Sequence, residues 1–189
     1  MCKTSMTETT EENPTPLAAL SRSIDAILDV PDVDGQPDVR AIREAVWHAF
    51  SLGNWMPGEM TKASDESYAR HVLHSDPIRR YTILALVWKQ GQASPVHAHH
   101  TWCAYGVVAG ELLEARFEYD AEAQGASATG SHPRKKGDGS CGQAGLAQIH
   151  RIQNVRRETA ISVHVYGVPA SELATGVNNV LPLATTAIA

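Results

Sequence analysis

The stretch Gly91-Gln-Ala-Ser-Pro-Val-His97-Ala-His99-His100-Thr-Trp-Cys103 indicates the fold of this chain better than any other part of it. Side chains two residues apart in a β-strand project from the same face, so His97 and His99 can reach one metal ion. The ten residues after His100 contain no carboxylate. A site built only from neutral imidazoles leaves a divalent ion its full positive charge, which favours an anionic substrate ligand such as a thiolate. Imidazole suits iron, copper, zinc and nickel, so the ligand type leaves the metal open.

A third candidate ligand is His150, which lies in a short apolar–polar alternation after a Gly-rich segment. An isolated His-x-His pair or a single histidine can equally be a surface residue or a hydrogen-bonded one. The metal-site interpretation gains weight from the segment 161–167, whose period-2 pattern places Ser162, His164 and Tyr166 on one strand face. Polar side chains in such a row can serve as hydrogen-bond partners for one another inside a barrel.

Together these motifs resemble the thiol dioxygenases of the cysteine dioxygenase group. The resemblance covers about half the chain in blocks from Tyr68 to Gly167, and the motifs occur in the family's order. Tyr68-Ala-Arg70 is similar to the family's Tyr-x-Arg segment, and Trp88 precedes His97 by the family's interval. The resemblance implies an all-β cupin-type barrel, here preceded by α-helices.

The resemblance also implies roles for individual residues. Three of them would hold one mononuclear, non-haem Fe(II) ion: His97, His99 and His150. Arg70, with Tyr68 beside it, would bind the carboxylate of a small thiol, which O2 converts to a sulfinate. The catalytic row would be Tyr166, which donates a hydrogen bond to oxygen or substrate, with His164 and Ser162 orienting it.

The chain departs from the family pattern at several points. The Pro and Gly that usually precede the third histidine are replaced by the segment 145–148. Cys103 lies at or within one residue of the cysteine that is cross-linked to the active-site tyrosine in some members. It can therefore form a thioether with Tyr166, or be a small buried hydrophobic residue. Arg70 is present and the segment 168–173 has no arginine, which favours L-cysteine over 3-mercaptopropionate as the substrate.

Composition indicates one domain with tails. The chain has 189 residues, 43% of them apolar, and a net charge of −5 without a basic stripe, which argues against nucleic acid or an anionic membrane as partner. No apolar run has the length of a membrane span. Three scattered cysteines suit a reducing, cytoplasmic setting rather than a disulfide framework. We expect a monomer or a weak homo-oligomer.

The pattern of apolar residues predicts helices over 16–30 and 39–52, then strands over 81–88, 102–108, 112–119 and 160–166. The stretch 120–145, rich in Gly, Ser and Lys, is predicted to be a long loop with His132 in solvent. We therefore expect a disordered tail over 1–15, a helical segment over 16–66 and the barrel over 67–189.

Three other functions stay open at this point. The substrate can be another mercapto acid, such as 3-mercaptopropionate or mercaptosuccinate. The same fold and iron can couple thiol oxidation to a rearrangement or decarboxylation. The chain can also be a non-catalytic cupin that binds zinc or nickel, although such a protein has no need of the Ser162–His164–Tyr166 row.

Overall fold

The structure of the protein, a computed structural model, describes residues 15–32, 34–51 and 56–184. The tail predicted over 1–15 lies outside this part of the chain, apart from Thr15. Helices α1, Pro16–Leu28, and α2, Val39–Ser51, confirm the two predicted helices. The Thr15 hydroxyl accepts the Ala18 N–H at 3.2 Å and proline occupies the first helical position, which are common helix-start features. Within the described ranges, no helix is long and apolar enough to cross a membrane.

Ten strands follow within residues 56–184, in two five-stranded antiparallel sheets. Their bounds are β1 Ala69–Ser75, β2 Thr82–Trp88, β3 His97–His99, β4 Cys103–Ala109, β5 Glu111–Asp120, β6 Gly125–Lys135, β7 Gly139–Gly142, β8 Gly145–Gln153, β9 Ala160–Tyr166 and β10 Asn178–Val180. The first sheet has the order β1-β2-β9-β4-β7 and the second the order β10-β3-β8-β5-β6. Short 3-10 helices occupy Gly58–Thr61 and Ala170–Glu172. The prediction of a cupin-type barrel preceded by helices is confirmed.

Both faces of the first sheet are covered, because α1 and α2 pack on its outer side. Val163 and Val165 of β9 belong to the same buried cluster as Ile24 of α1 and Val46 of α2. The alternate residues of β9 face the barrel interior, where Tyr166 packs with the inner residues of β2 and β4. A strand buried on both faces needs apolar residues at nearly every position, and all seven residues of β2 are buried.

An arginine joins the first helix to the barrel. Arg80, just before β2, forms ion pairs with Asp25 at 2.5 Å, Asp29 at 2.9 Å and the buried Asp76 at 3.0 Å. Asp25 and Asp29 lie one helical turn apart at the end of α1, so one guanidinium can bind both. This network fixes the helix against the outer face of the sheet.

The prediction of a long loop over 120–145 is wrong. The structure has two strands there, β6 and β7, and β6 pairs with β5 along its whole length. Most of β6 is exposed at the sheet edge, which explains its small and polar residues and its Pro133. His132 is exposed, as predicted. Pairing with β5 stabilises a segment whose own composition does not favour a strand.

Candidate metal centre

The three histidines predicted to bind a metal meet between strands β3 and β8. His97 of β3 lies opposite His150 of β8 in the antiparallel ladder, and His99 follows on the same face. The ring centroids are 4.7 Å apart for His97–His150, 4.9 Å for His97–His99 and 5.1 Å for His99–His150. One nitrogen from each ring lies within 4.8 Å of the other two, and all three side chains are buried. The structure thus brings the predicted ligand set together.

Burial keeps the imidazoles of His97 and His99 neutral. Loss of solvent, aided by the neighbouring His150, lowers the pKa of His97 to about 4 and that of His99 to about 2. Nδ1 of His99 and Nε2 of His150 are buried and have no hydrogen-bond partner in the described part of the chain. Buried nitrogens without partners are costly, and a metal ion would satisfy them. Neutral nitrogen donors and unpartnered ring atoms therefore fit a divalent transition metal.

A carboxylate that the sequence analysis missed stands behind the third histidine. Glu114 of β5 is fully buried, and its Oε1 accepts a hydrogen bond from His150 Nδ1 at 2.8 Å. Its Oε2 accepts from Arg134, with Nη2 at 2.6 Å, and from Arg116 at 3.2 Å. Burial alone would raise the pKa of Glu114, but the bond from His150 and the two guanidinium charges lower it to about 2. The surroundings of the cluster are therefore not purely neutral.

A weak sequence signal for this carboxylate did exist. On the predicted strand 112–119, period-2 alternation places Glu114 on the same face as the buried Leu112. An acidic residue on a core-facing strand position needs a partner, because a buried charge is rarely left unpaired. The sequence could not identify His150 as that partner, because the pairing of Glu114 with Ile152 places the carboxylate beside His150.

A second buried row runs from Trp88 to Tyr166. Trp88 Nε1 donates to Ser162 Oγ at 2.9 Å, and Ser162 Oγ lies 2.9 Å from His164 Nε2. His164 Nδ1 lies 3.0 Å from the Tyr166 hydroxyl. Burial, reinforced by the nearby histidines, lowers the pKa of His164 to about 3, so its ring is neutral. The three residues predicted to form a row are thus hydrogen-bonded in sequence, with a tryptophan at the end.

The tryptophan sets the direction of these hydrogen bonds. An indole N–H can only donate, so Ser162 accepts from Trp88 and must place its own hydrogen elsewhere. In the described part of the chain its other partner is His164 Nε2. Ser162 therefore donates to Nε2, and Nδ1 of the neutral ring carries the hydrogen and donates to the Tyr166 oxygen. The phenol hydrogen of Tyr166 is left free for a group in the cavity.

Arg70 and Tyr68 lie at the mouth of the cavity that contains the histidines. Arg70 is exposed, and its Nη2 donates to the Tyr68 hydroxyl at 2.6 Å. The Tyr68 ring stacks on Trp88 with centroids 4.2 Å apart. The cavity volume is about 30 Å³, and its lining includes Tyr166 and the histidine cluster. Arg70 brings a positive charge to that lining, whose other members are histidines and uncharged residues.

Cys103 and Tyr166 lie directly opposite each other on strands β4 and β9. Directly opposed side chains of an antiparallel pair project from the same face, with Cβ atoms about 4.5–5.5 Å apart. Both residues are buried and belong to the same inner cluster. Burial raises the pKa of the Cys103 thiol and that of the Tyr166 phenol.

Several solved structures resemble this chain in fold. A protein from Thermus thermophilus is 18% identical with a TM-score of 0.46, over 58% of this chain and 91% of that one. A Klebsiella pneumoniae subsp. pneumoniae protein with a double-stranded beta-helix domain is 17% identical with a TM-score of 0.47, over 63% and 88%. An RmlC-like cupin family protein from Methanocaldococcus jannaschii is 15% identical with a TM-score of 0.42, over 60% and 92%. Likenesses of this size say nothing about activity.

The family comparison covers most of the chain. The sequence profile described as cysteine dioxygenase type I matches residues 6–175. That span contains the three histidines, the Trp88-to-Tyr166 row and Arg70, and it confirms the resemblance found in the sequence motifs. The buried three-histidine cluster agrees with a metal-dependent dioxygenase family. The chain belongs to the cysteine dioxygenase type I family.

Proposed function

We propose that this protein is an iron-dependent thiol dioxygenase that converts a small carboxylate-bearing thiol, L-cysteine first of all, to its sulfinate. The observation that carries the proposal is a cluster of three buried histidines in a cavity with an arginine at its mouth. The thiolate and dioxygen combine as RS⁻ + O2 → RSO2⁻, so both oxygen atoms go to sulfur. The thiol and dioxygen are its partners, and a reducing compartment such as the cytoplasm suits it.

Fe(II) would be held by His97, His99 and His150. Bound iron would supply the redox chemistry that joins dioxygen to sulfur, and coordination would keep the thiol deprotonated at neutral pH. The neutral state of His97 and His99 leaves their lone pairs available without prior loss of a proton. With three protein ligands, the ion would have room to bind small molecules.

Arg70 would bind the substrate carboxylate. A guanidinium can form two parallel hydrogen bonds to a carboxylate, which fixes orientation as well as position. The hydrogen bond to Tyr68, and the stacking of Tyr68 on Trp88, hold the guanidinium at the cavity mouth. A substrate anchored there would extend its sulfur inward towards the histidines.

Tyr166 would donate its free phenol hydrogen to the reacting substrate or to dioxygen. The direction of the Trp88–Ser162–His164 hydrogen bonds supports this role, because it makes the Tyr166 oxygen an acceptor on one side only. Donors that are fixed before reaction stabilise developing negative charge without reorganisation. His164 and Ser162 would act by orienting the phenol.

A thioether between Cys103 and Tyr166 belongs to the proposal. The S–H and one ring C–H bond would break and a C–S bond would form, with dioxygen accepting the two electrons and two protons. The opposed positions of the two residues support it. Intact-protein mass decides the question: a deficit of two hydrogens that Tyr166→Phe removes would support the cross-link, and its absence would leave Cys103 as a packing residue.

One experiment tests the function. Iron-loaded protein is supplied with L-cysteine, 3-mercaptopropionate, mercaptosuccinate and cysteamine, oxygen uptake is followed, and the product mass is measured. We expect uptake with cysteine and a product heavier by two oxygen atoms. A product of another mass would indicate a coupled rearrangement or decarboxylation. No uptake with any thiol would refute the proposal and favour a non-catalytic metal-binding protein.

A further inference from the structure

The carboxylate behind His150 carries an inference beyond the family's activity. The strand that holds His97 and His99 has no acidic residue in its motif, yet the fold brings Glu114 to the opposite side of the third histidine. Burial of a carboxylate costs several kcal/mol unless charge and hydrogen-bond partners compensate. The burial of the Glu114 carboxylate therefore needs an explanation.

The two oxygens of Glu114 have separate partners. Oε2 accepts from both arginines, Arg116 and Arg134, whereas Oε1 has His150 Nδ1 as its partner in the described part of the chain. The arginine side chains are 28% and 22% exposed, but Glu114 is 0% exposed. A carboxylate that served only to neutralise the arginines could lie nearer the surface. Their position on Oε2 instead leaves Oε1 aimed at the histidine.

This arrangement decides which nitrogen of His150 is free. An acceptor at Nδ1 requires Nδ1 to carry a hydrogen, and in the neutral ring, the form that binds a metal, the lone pair is then on Nε2. Nε2 is a buried atom without a hydrogen-bond partner in the described ranges, and His150 forms the cluster with His97 and His99. A carboxylate on the far nitrogen also raises the basicity of a ligating histidine.

We propose that Glu114, held by Arg134 and Arg116, is a positioning residue that fixes the tautomer and ring orientation of His150 for metal binding. It places a negative charge beside a ligand set made only of histidines. The inference takes His150 as a ligand and so rests on the proposed function to that extent. It concerns metal affinity, and it does not depend on which thiol is oxidised.

The decisive variant is Glu114→Gln, with Glu111→Gln as its matched control. Glutamine has an NH₂ donor in place of one carboxylate oxygen, so it turns a donor either to His150 or to the arginines. Glu111 lies on the same strand and also pairs with an arginine, Arg156 at 2.6 Å, away from the ligands. Both changes remove one negative charge from β5; Glu114 pairs with two arginines and Glu111 with one.

Two measurements separate positioning from structure. The Fe(II) dissociation constant is obtained anaerobically by chelator competition, and ¹⁵N NMR of the metal-free protein reports which His150 nitrogen is protonated. We expect Glu114→Gln to weaken iron binding about 10- to 100-fold and to reduce the Nδ1–H form. Glu111→Gln should change neither. Unchanged affinity with Nδ1 still protonated would overturn the inference.

Two further variants keep the test usable. If Glu114→Gln does not fold, the double variant Glu114→Gln with Arg134→Gln is measured in the same way. It also removes one of the two guanidinium groups that lose their carboxylate partner. Glu114→Asp keeps both acceptor oxygens on a shorter side chain, and partial recovery of iron affinity supports the assignment. Failure of the proposed function, seen as no oxygen uptake with any thiol, is distinguishable from failure of this inference. Iron affinity and the His150 tautomer are measured without thiol or oxygen.

Discussion

Removal of the Tyr166 hydroxyl tests the mechanism most directly. In Tyr166→Phe the ring and its packing stay, but the hydrogen bond to His164 Nδ1 and the free phenol hydrogen are lost. Tyr166 is not among the three candidate ligands, and its ring centroid is 6.2 Å from that of His99. We therefore expect iron content to remain at the wild-type level.

The expected loss of rate follows from the loss of one fixed donor. Such a deletion costs roughly 10- to 1,000-fold, or about 1.4–4 kcal/mol of transition-state stabilisation. His164 Nδ1–H also loses its buried acceptor, which costs about 1–3 kcal/mol of folding stability. At about 2–4 °C per kcal/mol for a chain of this size, Tm should fall by about 2–12 °C. A protein that melts well above 25 °C can still be assayed there.

The assay is oxygen uptake at saturating L-cysteine, expressed per bound iron, with Tyr105→Phe as the matched control. Tyr105 is also buried and stacks on His164, with centroids 4.9 Å apart, but it does not line the cavity. We expect its variant to keep near wild-type turnover. A wild-type rate in Tyr166→Phe, or an equal loss in both variants, would refute the donor role and leave the row as structural support.

Three other outcomes are expected. His150→Ala should lose bound iron and thiol-dependent oxygen uptake, as measured by metal analysis and an oxygen electrode; full iron and activity would mean that the third ligand has been assigned wrongly. Arg70→Ala should raise KM for L-cysteine roughly 10- to 150-fold, from the loss of about 1.5–3 kcal/mol of charged hydrogen bonding, and hardly affect cysteamine, which has no carboxylate. Equal losses with both thiols would contradict that role. The pKa of His164 is lowered from 6.5 to about 3, so its share of stability is complete above pH 6.5 and is lost as pH falls towards 3. The free energy of unfolding, measured in urea, should therefore be lower at pH 5.5 than at pH 7.5 by about 1.4 kcal/mol on account of this residue. His164→Gln should not show this part of the decrease, and the same decrease in both proteins would exclude His164 as its source.

Local pattern in the sequence was enough to predict the fold class and to propose most of the candidate site residues. The period-2 geometry of a strand places His97 with His99, and Ser162 with His164 and Tyr166, on common faces before any tertiary contact is known. In the structure, Ser162, His164 and Tyr166 are joined by hydrogen bonds. The helices α1 and α2 were predictable for the same reason, since their 3.6-residue apolar spacing is a local property.

Contacts between distant segments were decided only by the tertiary structure. Glu114 and His150 are 36 residues apart, and Trp88 and Ser162 are 74 residues apart, yet each pair is hydrogen-bonded. Strand register sets these contacts, and a shift of one residue would turn each side chain to the opposite face. The same is true of β6, whose Gly- and Ser-rich sequence forms a strand because β5 supplies the partner. Composition alone could not predict it, because β-structure depends on pairing with a remote strand more than on local propensity.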